Sequence, residues 1–153
     1  EKMAWGVGLG AKYEVVPGTT LKADYYHVKG DSSFVSYANP GVIRATNGDL
    51  LQSEFDSITV GLTQQFNDKL RGTLGYGYMN FEQDNGYVTA TTNPTAINKD
   101  LWQAWANVFY SPTKPLSFGL EYVYGEREAL GAATNGSTKG EDNRINAVAI
   151  YSF

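Results

Sequence analysis

The sequence predicts an all-β fold: an antiparallel transmembrane β-barrel with up-and-down connections, to which these 153 residues contribute seven strands. Three observations predict it. Seven segments alternate apolar and polar residues with the period of two that belongs to a β-strand. The connections between them strictly alternate short and long, as in barrels with tight periplasmic turns at one rim and long extracellular loops at the other. Tyrosine, tryptophan and phenylalanine gather at the ends of the apolar faces, with small and aliphatic residues between them, as expected at membrane interfaces.

The expected strands run over residues 3–15, 19–29, 54–66, 69–81, 101–111, 116–126 and 143–153. In the first, Trp5, Val7, Leu9, Ala11 and Tyr13 share a face opposite Gly6, Gly8, Gly10, Lys12 and Glu14. The connection "VPGT" leads into the second strand, "FNDK" joins the third to the fourth, and "SPTKP" joins the fifth to the sixth. Each has the Pro, Gly, Asn or Asp content of a tight turn. In "KLRGTLGYGYMNF", Leu70, Leu74, Tyr76 and Tyr78 point to lipid while Arg71, Thr73, Gly75 and Gly77 point inward. In "LWQAWANVFYS", Trp102 and Tyr110 lie eight residues apart on one apolar face. On a strand tilted by about 40° that spacing covers on the order of 20 Å along the membrane normal, close to the height of an apolar belt. The sixth strand sets Leu116, Phe118, Leu120, Tyr122 and Tyr124 opposite Ser117, Gly119, Glu121, Val123 and Gly125. The last, "NRINAVAIYSF", puts Ile145, Ala147, Ala149, Tyr151 and Phe153 on one face and Arg144, Asn146 and Ser152 on the other. The long connections cover residues 30–53, 82–100 and 127–142. The whole of 1–153 reads as one barrel segment.

Composition narrows the function classes. With 42% hydrophobic and 14% aromatic residues the chain is not disordered, yet no stretch approaches the ~20 consecutive apolar residues of a membrane-spanning helix. A bilayer must then be crossed by strands. Cysteine is absent, which removes disulfide and thiolate-zinc chemistry, and a net charge of -4 argues against a nucleic-acid partner.

Candidate chemical motifs are few. "GVGLGAK" has the glycines of a phosphate loop but continues as a strand rather than into a helix, so its glycines read as small inward-facing residues that leave room in the lumen. His27 is the lone histidine; Asp24 lies three residues away and so on the opposite face of a strand, which does not assemble a hydrolytic pair. "EDN" at 141–143 lacks a full calcium loop. "NGS" at 135–137 is a glycosylation sequon by pattern alone. No catalytic residue, metal or cofactor is expected.

The charges expected on the inward face carry more. Lys12, Lys22, Arg71, Arg127 and Arg144 are set against Glu14, Asp24 and Glu121, a positive wall in a negative chain. Lys12 with Glu14 and Lys22 with Asp24 are candidates for structural pairing across neighbouring strands. Arg71, Arg127 and Arg144 lack an adjacent partner and are the better candidates for contact with a solute. Two aromatic girdles are expected on the lipid face: Tyr13, Phe66, Tyr110 and Phe153 at the periplasmic rim, and Trp5, Trp102 and Tyr124 at the extracellular rim.

The segment "LWQAWANVFYSPTKPLSFGLEYVYGERE" with "GEDNRINAVAIYSF" resembles the C-terminal strands of the DcaP-like porins of Gram-negative outer membranes. "LKADYYHVKGD" and "FDSITVGLTQQFNDKLRGTLGYGYMNF" resemble the strands just before them. The resemblance implies an outer-membrane location and a homotrimeric porin of about sixteen strands. It also implies passive diffusion of small anionic solutes such as dicarboxylates, a channel narrowed by an infolded loop outside these residues, and no enzymatic activity. It further implies that the terminal strand and Phe153 are read by the barrel-assembly machinery through strand pairing. Seven strands would leave open edges, so the chain is expected to be the C-terminal part of a larger barrel. The alternative function is a small barrel serving as a structural or adhesive anchor without transport.

Overall fold

The computed structural model describes residues 2–35, 38–83 and 86–153. Seven long strands form one antiparallel sheet in which each strand pairs with its neighbour in sequence: β1 (Trp5–Val16), β2 (Thr19–Lys29), β5 (Glu54–Asn67), β6 (Leu70–Phe81), β7 (Asn98–Thr113), β8 (Leu116–Ala129) and β9 (Lys139–Tyr151). This is the expected meander. The short ties are two-residue turns at Pro17 and Gly18, Asp68 and Lys69, and Lys114 and Pro115. Gly18 takes a φ of 82°, which fits a turn with Pro at its first central position and Gly at its second. Lys69 N–H donates to the Asn67 side chain at 2.9 Å, so the asparagine sets the second turn.

Three of the strands outrun their sequence-based limits. β7 and β8 extend to Asn98 and Ala129, and β9 begins at Lys139 rather than at 143. The polar residues Asn98, Lys99, Glu128 and Glu141 carry no apolar alternation, yet backbone pairing continues through them because a ladder above the membrane needs no greasy face. The long connections also hold structure of their own. A small hairpin, β3 (Val42–Arg44) with β4 (Leu50–Gln52), occupies the first, and a single helical turn, α1 (Gly86–Ala90), lies in the second.

Register fixes the two faces. One row of paired residues reads Tyr13, Leu21, Leu62, Leu74, Ala106, Tyr122 and Ile145. Leu9 is 71% exposed and Leu74 62%, and this face stays apolar across the sheet. A continuous apolar surface of that kind belongs against hydrocarbon. The adjacent row on the other face reads Glu14, Thr20, Thr63, Thr73, Asn107, Glu121 and Asn146. That polar face is the lumen wall. Val148 and Ile150 lie on it with Arg144 and Asn146, opposite Gly119 and Ser117 of β8. A buried cluster lies at the long-loop end of the wall, where Val28, Phe55, Met79 and Phe81 pack with Tyr26, Leu101 and the loop residues Val35 and Ala38, and Val123 is buried midway along β8.

Candidate functional site

Every charged residue expected inside lies on the lumen wall by register, but its partners differ from expectation. Lys12 sits directly opposite Lys22. Glu14 instead accepts the Gly18 N–H at 3.1 Å, drawn down to the turn, and Asp24 lies over Gly10. Neither lysine has an acidic partner within salt-bridge distance among the described residues. The expected pairings of Lys12 with Glu14 and Lys22 with Asp24 are therefore absent, because backbone donors and a facing glycine offer the two acids other positions.

The arginines, expected to be free, are the engaged cations. Arg144 forms an ion pair with Asp142 at 3.0 Å. Arg127 donates from Nε to the Asn98 side chain and from Nη2 to the Thr95 carbonyl at 2.9 Å. Arg71 stands over the Phe109 ring, 4.6 Å from its centroid, a cation–π contact that leaves the guanidinium edges available. Arg127 and Arg144 nonetheless come together in one recess of about 300 Å³ on the wall, lined also by Gln103, Gly125, Gly140 and Asp142. Glu121 is held between amides, accepting from Asn107 Nδ2 at 3.2 Å and Asn146 Nδ2 at 3.1 Å, rather than by a cation.

Sequence reading missed Asp142. It was assigned to a loop, and the early start of β9 sets it on the wall opposite Gly125, so the wall carries five cationic and four anionic side chains instead of an excess of two. The glycines also do something other than leave room. Phe34 packs over Gly6, where a Cβ would lie 3.1 Å from its ring, and Tyr26 over Gly8 at 2.7 Å. Phe109 covers Gly119 in the same way at 2.6 Å, and the Trp105 indole occupies the space above Gly75. Neighbouring side chains fill those spaces.

The aromatic residues named as girdle candidates lie toward the two ends of the strands. Tyr13, Phe66 and Tyr110 lie outward toward the short-turn end, and Phe153 is fully exposed beyond β9. Trp5, Trp102 and Tyr124 lie outward toward the long-loop end. Trp102 packs between Tyr76 and Tyr124, with ring centroids 6.1 Å and 5.5 Å apart. Above them runs a band of ion pairs: Lys29 with Glu54 at 2.6 Å, Lys99 with Glu128 at 2.8 Å, and Lys139 with Glu126 at 2.8 Å. His27 belongs to this band, 3.0 Å from Asp56 and 3.4 Å from Glu54, on the face opposite Asp24.

The family model for the DcaP outer membrane protein matches residues 1–153. The chain belongs to the DcaP outer membrane protein family. Among solved structures it is similar to the crystal structure of the outer membrane channel DcaP of Acinetobacter baumannii, at 33% identity with a TM-score of 0.87 over 99% of this chain. It spans 41% of the length of that channel's chain. A comparison with curated proteins finds no match. Family membership and this likeness locate the chain in the bacterial outer membrane as β-barrel wall, with bilayer lipid against its apolar face.

Proposed function

We propose that this chain lines part of a water-filled channel through which small solutes diffuse, with preference for anions such as dicarboxylates. The observation that carries the reading is the Lys12 and Lys22 pair. Like charges set directly opposite each other on a sheet are destabilising, and among the described residues no carboxylate lies within salt-bridge distance of either. A passing anion would. Screening acts over ~8 Å at physiological salt, so cations lining a narrow lumen are still felt by a solute within it. Arg71 adds a second cationic position with the fork geometry that suits carboxylates, whereas Arg127 and Arg144 share their recess with Glu126, Glu141 and Asp142. The likeness to an outer membrane channel supports the channel itself. The homotrimer and the role of Phe153 in barrel assembly belong to the same reading.

The intact porin containing this chain should conduct in a planar bilayer and give a reversal potential across a salt gradient of the sign set by faster anion flow. A barrel that inserts without conducting would support the anchor instead.

A further inference from the structure

Over much of the lumen wall the polar side chains satisfy one another. Thr63 and Thr73 share a hydrogen bond of 2.9 Å between β5 and β6, Ser111 and Ser117 one of 2.7 Å between β7 and β8, and Glu121 takes the two amides described above. One recess departs from that pattern. It measures about 210 Å³ and lies across β5, β6 and β7, and among the described residues the Ser57, Thr59 and Gln103 side chains that line it have no hydrogen-bond partner. Ser57 is only 6% exposed. Every fully enclosed polar side-chain atom among the described residues has a partner, so the Ser57 oxygen opens onto the recess. A hydroxyl withdrawn from bulk water in this way carries a cost that a bonding group in the recess would remove.

The floor of the recess is Gly77, which lies between Thr59 and Gln103 in the ladder. A Cβ there would come no closer than 3.7 Å to any neighbour, and the backbone does not take a positive φ, so neither packing nor conformation demands a glycine. Gly75, two residues away, is the contrast, because the Trp105 indole fills its space. That indole is half-buried, lies along β6 between Gly75 and Gly77, and forms one side of the recess. Leu101 and the buried Met79 form the other. Among the described residues no Asp, Glu, Lys or Arg lines it.

We propose that this recess is a binding subsite for a neutral sugar ring, with the C–H face of the ring against Trp105 and its hydroxyls bonded to Ser57, Thr59 and Gln103. A pyranose carries an apolar ring face and a rim of hydroxyls that donate and accept. The recess presents the complement, an aromatic and aliphatic surface edged by two hydroxyls and an amide. The lack of charge separates it from the positions on the wall that attract anions, and Gly77 keeps its floor open. The inference rests on the channel reading above, since the recess meets solutes only in a water-filled lumen.

The test uses the intact porin in planar bilayers with D-glucose and D-galactose, and with open-chain mannitol as the control that has the hydroxyls without the ring. In the wild type a hexose should reduce the ion current saturably, while mannitol lowers it only in proportion to viscosity. Gly77→Val fills the floor and Trp105→Ala removes the apolar side; each should raise the half-saturating hexose concentration roughly fivefold or more, folding being confirmed by the migration of unboiled samples. Should Trp105→Ala fail to fold, Gly77→Val and Ser57→Ala decide. Equal, unsaturable effects of hexose and mannitol in the wild type, or wild-type half-saturation in a variant that folds, would overturn the subsite. A folded wild type that never conducts would instead overturn the channel reading. The subsite is then read from tryptophan fluorescence of the folded protein in detergent, where glucose but not mannitol should change the emission and Gly77→Val should remove the change; no change with glucose would overturn it there too.

Discussion

Trp105 occupies the space that a side chain on Gly75 would need, and the two residues face each other across the β6–β7 ladder. Gly75→Ala therefore forces the indole off the wall or bends the strand. Overpacking of this kind costs about 1–3 kcal/mol, so the denaturant midpoint of the variant in detergent should fall, and collisional quenching of tryptophan fluorescence should rise as the ring moves into the water-filled space. A midpoint and quenching equal to wild type would show that the glycine is incidental. Alternation in "LRGTLGYGY" placed Gly75 inward correctly, but the partner that fills its space comes from another strand. Register between strands is set by turns and bulges, which a single strand's pattern does not contain. The same limit explains why Lys12 was expected to pair with Glu14 when Lys22 faces it across the ladder.

At the scale of elements, the strands β2, β5 and β6 were legible nearly to the residue because apolar alternation and Pro, Gly, Asn or Asp turns bound them at the short-turn end. The long-loop ends of β7, β8 and β9 were not, because their ladders continue through residues that no longer need a lipid-facing side. The β3–β4 hairpin and α1 were also missed. Three-residue strands and one helical turn carry too short a period to register, and they are held by contacts between distant segments such as Tyr87 with Pro40. Burial pushes the Tyr87 phenol above its ordinary value. A raised value in the folded chain means that the stabilisation from the neutral phenol is whole below the ordinary tyrosine range and is lost as pH climbs through the raised one. In an alkaline titration followed by phenolate absorbance, Tyr87 should be among the tyrosines that ionise late, and the packing around Pro40 should loosen with it. Tyr87→Phe should remove one late-ionising phenol and cost about 1 kcal/mol for the lost hydrogen bond. An unchanged titration curve in Tyr87→Phe would contradict the packing described.

For the whole molecule, the meander of seven strands, one face apolar and one polar, makes a wall with lipid on one side and water on the other. Phe153 lies past β9 with its ring fully exposed at the short-turn end, a place suited to an interface, and the proposed reading has it recognised there by strand pairing. Deleting Phe153 should lower the yield in the outer membrane of cells more than it lowers the stability of the refolded barrel in detergent; equal yields would remove the recognition role. The central claim is that the wall favours anions through its unpaired and half-engaged cations. It is tested most directly by the reversal potential of the intact porin across a potassium chloride gradient, compared between wild type and the double variant Lys12→Gln with Lys22→Gln. The account predicts anion preference in the wild type and a shift toward cations in the double variant, at least as large as in Arg144→Gln, whose guanidinium already has Asp142 beside it. A reversal potential unchanged by removing both lysines would contradict it.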